Sequence, residues 1–316
     1  MNQDDGGIYQ VDSPQRRQLH RNGEPMTIER TPLAAYLRAR RGRLKPEDVG
    51  LPDDGGRRVP GLRREEVATL AGISPDYYLR IEQGRDYKIS DQVLASLARA
   101  FRLNEAESQY LFRLARPELH PLAAEQHPLS PGVLTLLDQW SDTPAYVFDR
   151  NLDVLAANQL MRDLAPGMVE PGSNLVETVA AGYAAAMARA ETPPALEKWA
   201  ATFHEMVAAL RYYSTPEDPR LQEIVGALAI GNRGFRTAWA LHDARPYTSG
   251  ANRAWIEPLG WVDLRWQVLE LPGNPRRFIV THLAEPGTKA QAAIAHLTAT
   301  RVAMAQEALR PDSRTD

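Results

Sequence analysis

The chain contains no cysteine. That excludes disulfides, thiolate zinc sites and thiol nucleophiles, and it fits a reducing cytoplasm, where this protein is expected to act. No apolar run approaches the ~20 residues needed to cross a bilayer, so no membrane partner is expected. Residues 1–29 are polar and hold no apolar stretch of the secretory type, so a signal peptide is not expected. The common catalytic patterns are also missing: there is no G-x-S-x-G, H-E-x-x-H, G-x-G-x-x-G or phosphate-binding loop. His242-Asp243 alone invites a catalytic reading. Neighbours on a helix point about 100° apart and do not readily form a dyad. A polar role at a helix C-terminus, where a cation is favoured, is the plainer expectation for His242. These absences point away from an enzyme and from any cofactor or catalytic metal.

What is present is length and apolar content. The 316 residues are 43% hydrophobic, enough to pack real cores; at roughly 100–200 residues per domain the chain makes about two domains. The net charge of −3 hides an asymmetry. Residues 30–116 carry 17 Lys and Arg against 12 Asp and Glu, whereas residues 117–316 carry 17 against 23. The basic half is therefore the one suited to a polyanion.

Residues 1–29 read as a disordered tail. A helix is expected from Pro32 to about Leu44, then a loop rich in Pro and Gly up to Gly61, then four short helices between Leu62 and Ala115. Together these predict an all-α five-helix domain over residues 30–116. Residues 117–131, with Pro117, Pro121, Pro128 and Pro131, read as a linker. Over residues 132–310 the patterns predict a helix at 133–140 and a strand pair at 145–148 and 153–156. Helices follow near 158–165, 175–190, 195–213, 219–230 and 235–242. Strands come next at 253–256, 261–269 and 277–284, then a helix at 289–309; residues 311–316 read as a tail. Helices inserted between antiparallel strands predict an α+β domain. In the middle late strand Val262, Leu264, Trp266 and Val268 alternate with Asp263, Arg265 and Gln267, the period of a half-buried strand.

The segment with most functional content is Leu62–Arg85. Val67, Leu70 and Ala71 fall on one helical face, and Gly72 permits the left-handed residue that ends a helix. Ser74 suits an N-cap, and Pro75 suits the first helical position. Tyr78 and Ile81 point inward, leaving Asp76, Tyr77, Arg80 and Gln83 outside. This is the layout of a helix-turn-helix, whose second helix enters the major groove of double-stranded DNA. Arg80 can present a fork to guanine, Asp76 can accept from cytosine, and Tyr77 can meet a thymine methyl or a phosphate. Arg63 and Arg64 sit where they can grip phosphate, and Gln83 and Arg85 flank the far end of the second helix. The plainer alternative is a helical hairpin with a solvated face; the agreement of cap, proline, glycine and apolar spacing favours the DNA reading.

The stretch resembles the phage-repressor (Cro-type, XRE) helix-turn-helix family, in the branch carrying an insertion before Gly61-Leu62-Arg63-Arg64-Glu65-Glu66-Val67-Ala68 and continuing through Leu70-Ala71-Gly72, Ser74, Tyr77-Tyr78, Arg80 and Glu82-Gln83-Gly84-Arg85. The resemblance implies that residues near Arg64 hold phosphate and that Pro75, Asp76 and Arg80 face bases. Many relatives carry a neutral residue where Asp76 stands. The rest of the chain resembles the MmyB-like regulator sensor domain through Pro144-Ala145-Tyr146-Val147, Asp153–Asn158, Phe235, Trp239, His242-Asp243, Pro258, Gly260 and Ala284–Thr288. That implies a PAS-like fold and a small apolar, fatty-acid-like ligand. Aromatic residues laid along helices over a small sheet can enclose a pocket, or can simply be core. Trp140, Phe203, Trp239 and His242 are the candidates for ligand contact. A homodimer is expected, since paired half-sites mirror a two-fold protein. The alternative is a DNA-binding regulator whose C-terminal domain recruits a protein or only dimerises, with no small molecule.

Overall fold

In the computed structural model the residues described are 31–52, 61–85, 88–117, 128–272 and 276–308. The expected tails at 1–29 and 311–316, and most of the expected linker, lie outside them. Thr31 caps the first helix, α1 (Pro32–Arg43), with Pro32 at its start. A short 3-10 turn follows at Pro46–Val49. Then come α2 (Arg64–Ala71), α3 (Pro75–Glu82), α4 (Asp91–Ala100) and α5 (Glu105–Ala115). Their shared core holds Leu37, Leu62, Val67, Tyr78, Ile81, Leu94, Leu97 and Leu111, all buried. Asn104 and Glu107 cap α5 reciprocally, each side chain accepting from the other's backbone N–H at 2.9 and 3.0 Å. Gly61 has a steric reason to be glycine: a Cβ there would sit 2.4 Å from the Arg41 carbonyl oxygen. That close approach lets Leu62 N–H donate to the same carbonyl at 2.9 Å, locking α2's entry to α1.

The second part begins with α6 (Pro131–Gln139), two strands β1 (Ala145–Asp149) and β2 (Val154–Ala157), and α7 (Gln159–Leu164). Helices α8 (Leu175–Ala188), α9 (Pro193–Tyr213), α10 (Pro219–Gly231) and α11 (Arg233–Ala240) follow; β3 (Ser249–Ile256), β4 (Gly260–Glu270), β5 (Arg277–Leu283) and α12 (Lys289–Ala308) complete it. The strands form one antiparallel sheet in the order β2-β1-β5-β4-β3. This is the five-helix plus α+β layout expected. β1 and β5 alternate as buried strands must: Tyr146, Phe148, Phe278 and Val280 join the main core, while Ala145, Val147 and Ile279 pack with Leu137 of α6 in a second cluster. β3 begins at Ser249, before the expected Arg253, because an edge strand is mostly exposed and carries no apolar alternation there. Pro131 starts α6 instead of closing the linker, with Ser130 accepting from Val133 N–H at 3.4 Å.

One asparagine ties three of these elements together. The buried Asn158 side chain accepts from Ala145 N–H at 3.1 Å and Met161 N–H at 3.0 Å, and donates to the carbonyls of Thr143 at 2.8 Å and Trp140 at 3.1 Å. The end of α6, the start of β1 and the start of α7 are thereby fixed to one side chain. His282 on β5 is buried, and its Nδ1 has no hydrogen-bond partner among the described residues. Burial lowers its pKa to about 4, whereas an unfolded histidine titrates near 6.5. Between those values the unfolded chain binds the extra proton, so stability held above pH ~6.5 is lost as pH falls toward 4. The His282→Phe variant is expected to show a shallower fall of Tm over that window; identical slopes would contradict a buried neutral imidazole.

Candidate functional site

The α2–α3 pair is built as its sequence predicts. Gly72 is left-handed at φ 67° and ends α2. Ser74 Oγ accepts from Tyr77 N–H at 3.2 Å, and Pro75 opens α3. Gly84, at φ 67°, follows its end. The inner face holds Tyr78 and Ile81, both buried, while Leu70 and Ile73 are half-buried against the same core. The outer face shows Ser74, Pro75, Asp76 and Arg80 exposed and Tyr77 and Gln83 half-buried, with Arg85 exposed just beyond. The Arg80 guanidinium lies over the Tyr77 ring, 5.5 Å from its centroid, which holds both side chains on that face. Arg63 and Arg64 are exposed at the N-terminus of α2, where the helix's partial positive charge adds to their own. Arg63 N–H donates to Glu66 at 2.7 Å, closing that end.

Glu82, part of the motif but not among the expected site residues, is the structural centre of this pair. It is only 2% exposed. Arg41 of α1 donates to it through Nε at 2.7 Å, and Arg64 of α2 donates to its other oxygen. Arg41 also donates to the Leu62 carbonyl at 3.0 Å. One buried carboxylate on α3 therefore braces α1 and α2. The signal was present: Tyr78, Ile81 and Glu82 fall at i, i+3 and i+4, on the inward face. The Arg64 bond to Glu82 runs through Nε.

The four expected ligand contacts separate. Trp239 and His242 meet at a cavity of about 220 Å³, with Arg211 stacked on the Trp239 ring at 3.7 Å and donating to its carbonyl at 2.5 Å. Arg211 also lies 3.3 Å from His242 Nδ1. Phe203 is buried, packed 6.2 Å from Tyr183, and lines neither of the cavities described here. Trp140 packs in the second cluster, across the sheet from the main core. His242 stands past the end of α11 with φ 51°. Burial, then the charges of Arg211 and Arg38, lower its pKa to about 4. It is a neutral polar group beside the helix end, and the cation that meets the end of α11 is Arg211, through the Trp239 carbonyl. Asp243 pairs locally with Arg245 at 3.1 Å and, across the seam between the two parts, with Arg40 and Arg43 of α1 at 3.7 and 3.6 Å.

A capped helix pair with one polar face outward, joined to an α+β unit with a cavity at its edge, defines a helix-turn-helix transcription regulator with a sensing domain. Comparison with known families makes it specific: residues 32–111 match the helix-turn-helix domain, and residues 129–297 match the MmyB-like transcription regulator ligand binding domain. The second match spans over half the chain, which belongs to that family of regulators. These are not enzymes; DNA is bound through the helix-turn-helix, and a ligand through the C-terminal domain. A search of curated proteins finds no match. Among the described residues no helix is long and apolar enough to cross a membrane.

Proposed function

We propose that the chain is a sequence-specific regulator that reads double-stranded DNA as a homodimer in the cytoplasm, with residues 30–116 as the DNA-binding unit, 117–130 as the linker and 131–310 as the sensor. Its α3 enters the major groove. Arg80 reads a base edge, Asp76 and Tyr77 contact the adjacent step, and Arg63, Arg64, Gln83 and Arg85 hold the backbone, with Ser74 and Pro75 setting the helix start. The observation that carries this is the division of α3 into a buried face and an exposed polar face beside two exposed arginines. Arg64→Ala is expected to weaken every duplex alike and to reduce the slope of log K against log salt by about one. An unchanged slope would remove Arg64 from the phosphate contacts.

The sensor ligand is a small apolar, fatty-acid-like molecule held against Trp239 and His242. Native mass spectrometry of the purified chain is expected to show a noncovalent adduct of roughly a few hundred daltons on a species of twice the chain mass. A bare single chain would count against both ligand and dimer. A second reading, recruitment of a protein by the C-terminal domain, is favoured by one observation. Trp255 and Trp261 are 58% and 56% exposed and pack edge to face at 5.4 Å beside the β3–β4 turn. Loss of a partner, with ligand binding intact, on Trp255→Ala and Trp261→Ala would support it.

A further inference from the structure

The larger cavity, about 350 Å³, lies at the seam between the N-terminal helices and the turn joining α9 to α10. Part of its lining is apolar, from Leu33, Ile81, Ile89 and Leu114. Its charged lining includes two half-buried cations, Arg113 of α5 and Arg276 just before β5. Both have only neutral hydrogen-bond partners among the described residues. Arg113 donates to the Tyr212 carbonyl and stacks on the Tyr212 ring, 4.3 Å from its centroid. Arg276 donates to Thr215 Oγ1 at 2.7 Å. Burial lowers the pKa of each, and the charges of Arg113 and Arg150 push Arg276 down further. Asp218 and Glu270 offset this in part, but Asp218 is committed to Arg150 at 2.8 Å and Asn151 at 2.9 Å. Glu217 also lines the cavity but is exposed. A third positive element completes it: Thr31 and Pro32, the N-terminus of the 12-residue α1, are part of the wall.

Two cations that repel each other and, among the described residues, have no ion-pair partner in a partly dry site carry an electrostatic cost that an anion removes. We propose that this cavity is an effector site for a small organic acid: one carboxylate or phosphate set between Arg113 and Arg276, with a compact apolar body against Leu33, Ile81 and Leu114. The volume lies at the lower end of ordinary ligand pockets, which suits a single ring and its acid group. An occupant touches Ile81 and Gly84 at the end of α3 and Ser214–Glu217 of the C-terminal part together. It therefore favours the arrangement of the two parts in which both walls are in place. That regulatory half rests on α3 being the DNA-reading helix; the binding half does not.

Calorimetric titration of the full-length protein at fixed ionic strength tests both halves. Phenyl phosphate and benzoate are the probes, and benzyl alcohol is the neutral control. At least one acid is expected to bind saturably, one per chain, with no saturable binding of the alcohol; which acid binds tighter identifies the head group. Arg276→Gln and Arg113→Gln are expected to weaken it about tenfold or more, and Arg276→Lys less. No saturable binding of either acid, or equal binding in the glutamine variants, would overturn the site. Unchanged affinity for a selected duplex at saturating acid would overturn the effector role. Failure of the protein to select any duplex while still binding acid would fall on the helix-turn-helix reading instead.

Discussion

Glu82→Ala is expected to destabilise the N-terminal helices by about 3–5 kcal/mol, the usual cost of removing one partner from a buried ion pair. The carboxylate is 1% exposed at its side chain, and Arg41, at 15%, is nearly as enclosed. Deleting the acid leaves the Arg41 cation part-buried without its carboxylate, keeping its bond to the Leu62 carbonyl. It also releases Arg64, and with it the brace between α2 and α3. The damage comes from the half-broken pair, so pairing Glu82→Leu with Arg41→Met should recover a substantial part of the loss. Urea unfolding followed by circular dichroism measures both. A loss below about 1 kcal/mol would put the triad on a level with an exposed surface pair, against the burial seen here.

Arg80→Ala is expected to cost about 1–3 kcal/mol of binding, confined to duplexes carrying the preferred base at one position of each half-site. Arg80 is exposed on the outer face of α3, and its stacking on Tyr77 limits the conformers it must give up on binding. Fluorescence anisotropy on single-base variants of a selected site separates this from a phosphate contact. An equal loss on selected and random duplexes would place Arg80 on the backbone.

Local chemistry is what the sequence displayed well. Ser74, Pro75, Gly72 and Gly84 act within a few residues of themselves, so the α2–α3 turn was legible without any tertiary knowledge. The period-2 pattern in β4 was equally plain, because Val262, Leu264 and Trp266 face one core. The first part of β3 was not, since its residues face solvent at a sheet edge. Ligand contacts were the least legible. Trp140, Phe203 and Trp239 look alike in helical spacing, yet only Trp239 borders one of the two cavities described. The cavity between Arg113 and Arg276 exists only because α5 docks against the turn after α9, a contact between residues far apart in sequence. Glu82 stood in the motif in plain view; its burial with Tyr78 and Ile81 was readable from spacing, but an acid on an inward face invites the reader to turn it outward.

If α3 gives this protein its DNA sequence preference, selection from a random duplex pool by the wild-type chain, in parallel with the Asp76→Ala, Arg80→Ala double variant, will separate the two proteins. The wild type is expected to enrich a two-fold symmetric site with half-sites about one helical turn, some 34 Å, apart. The variant should lose preference at the α3 positions while keeping its affinity for random DNA. No enrichment by the wild type, or the same enriched site from both proteins, would contradict the account.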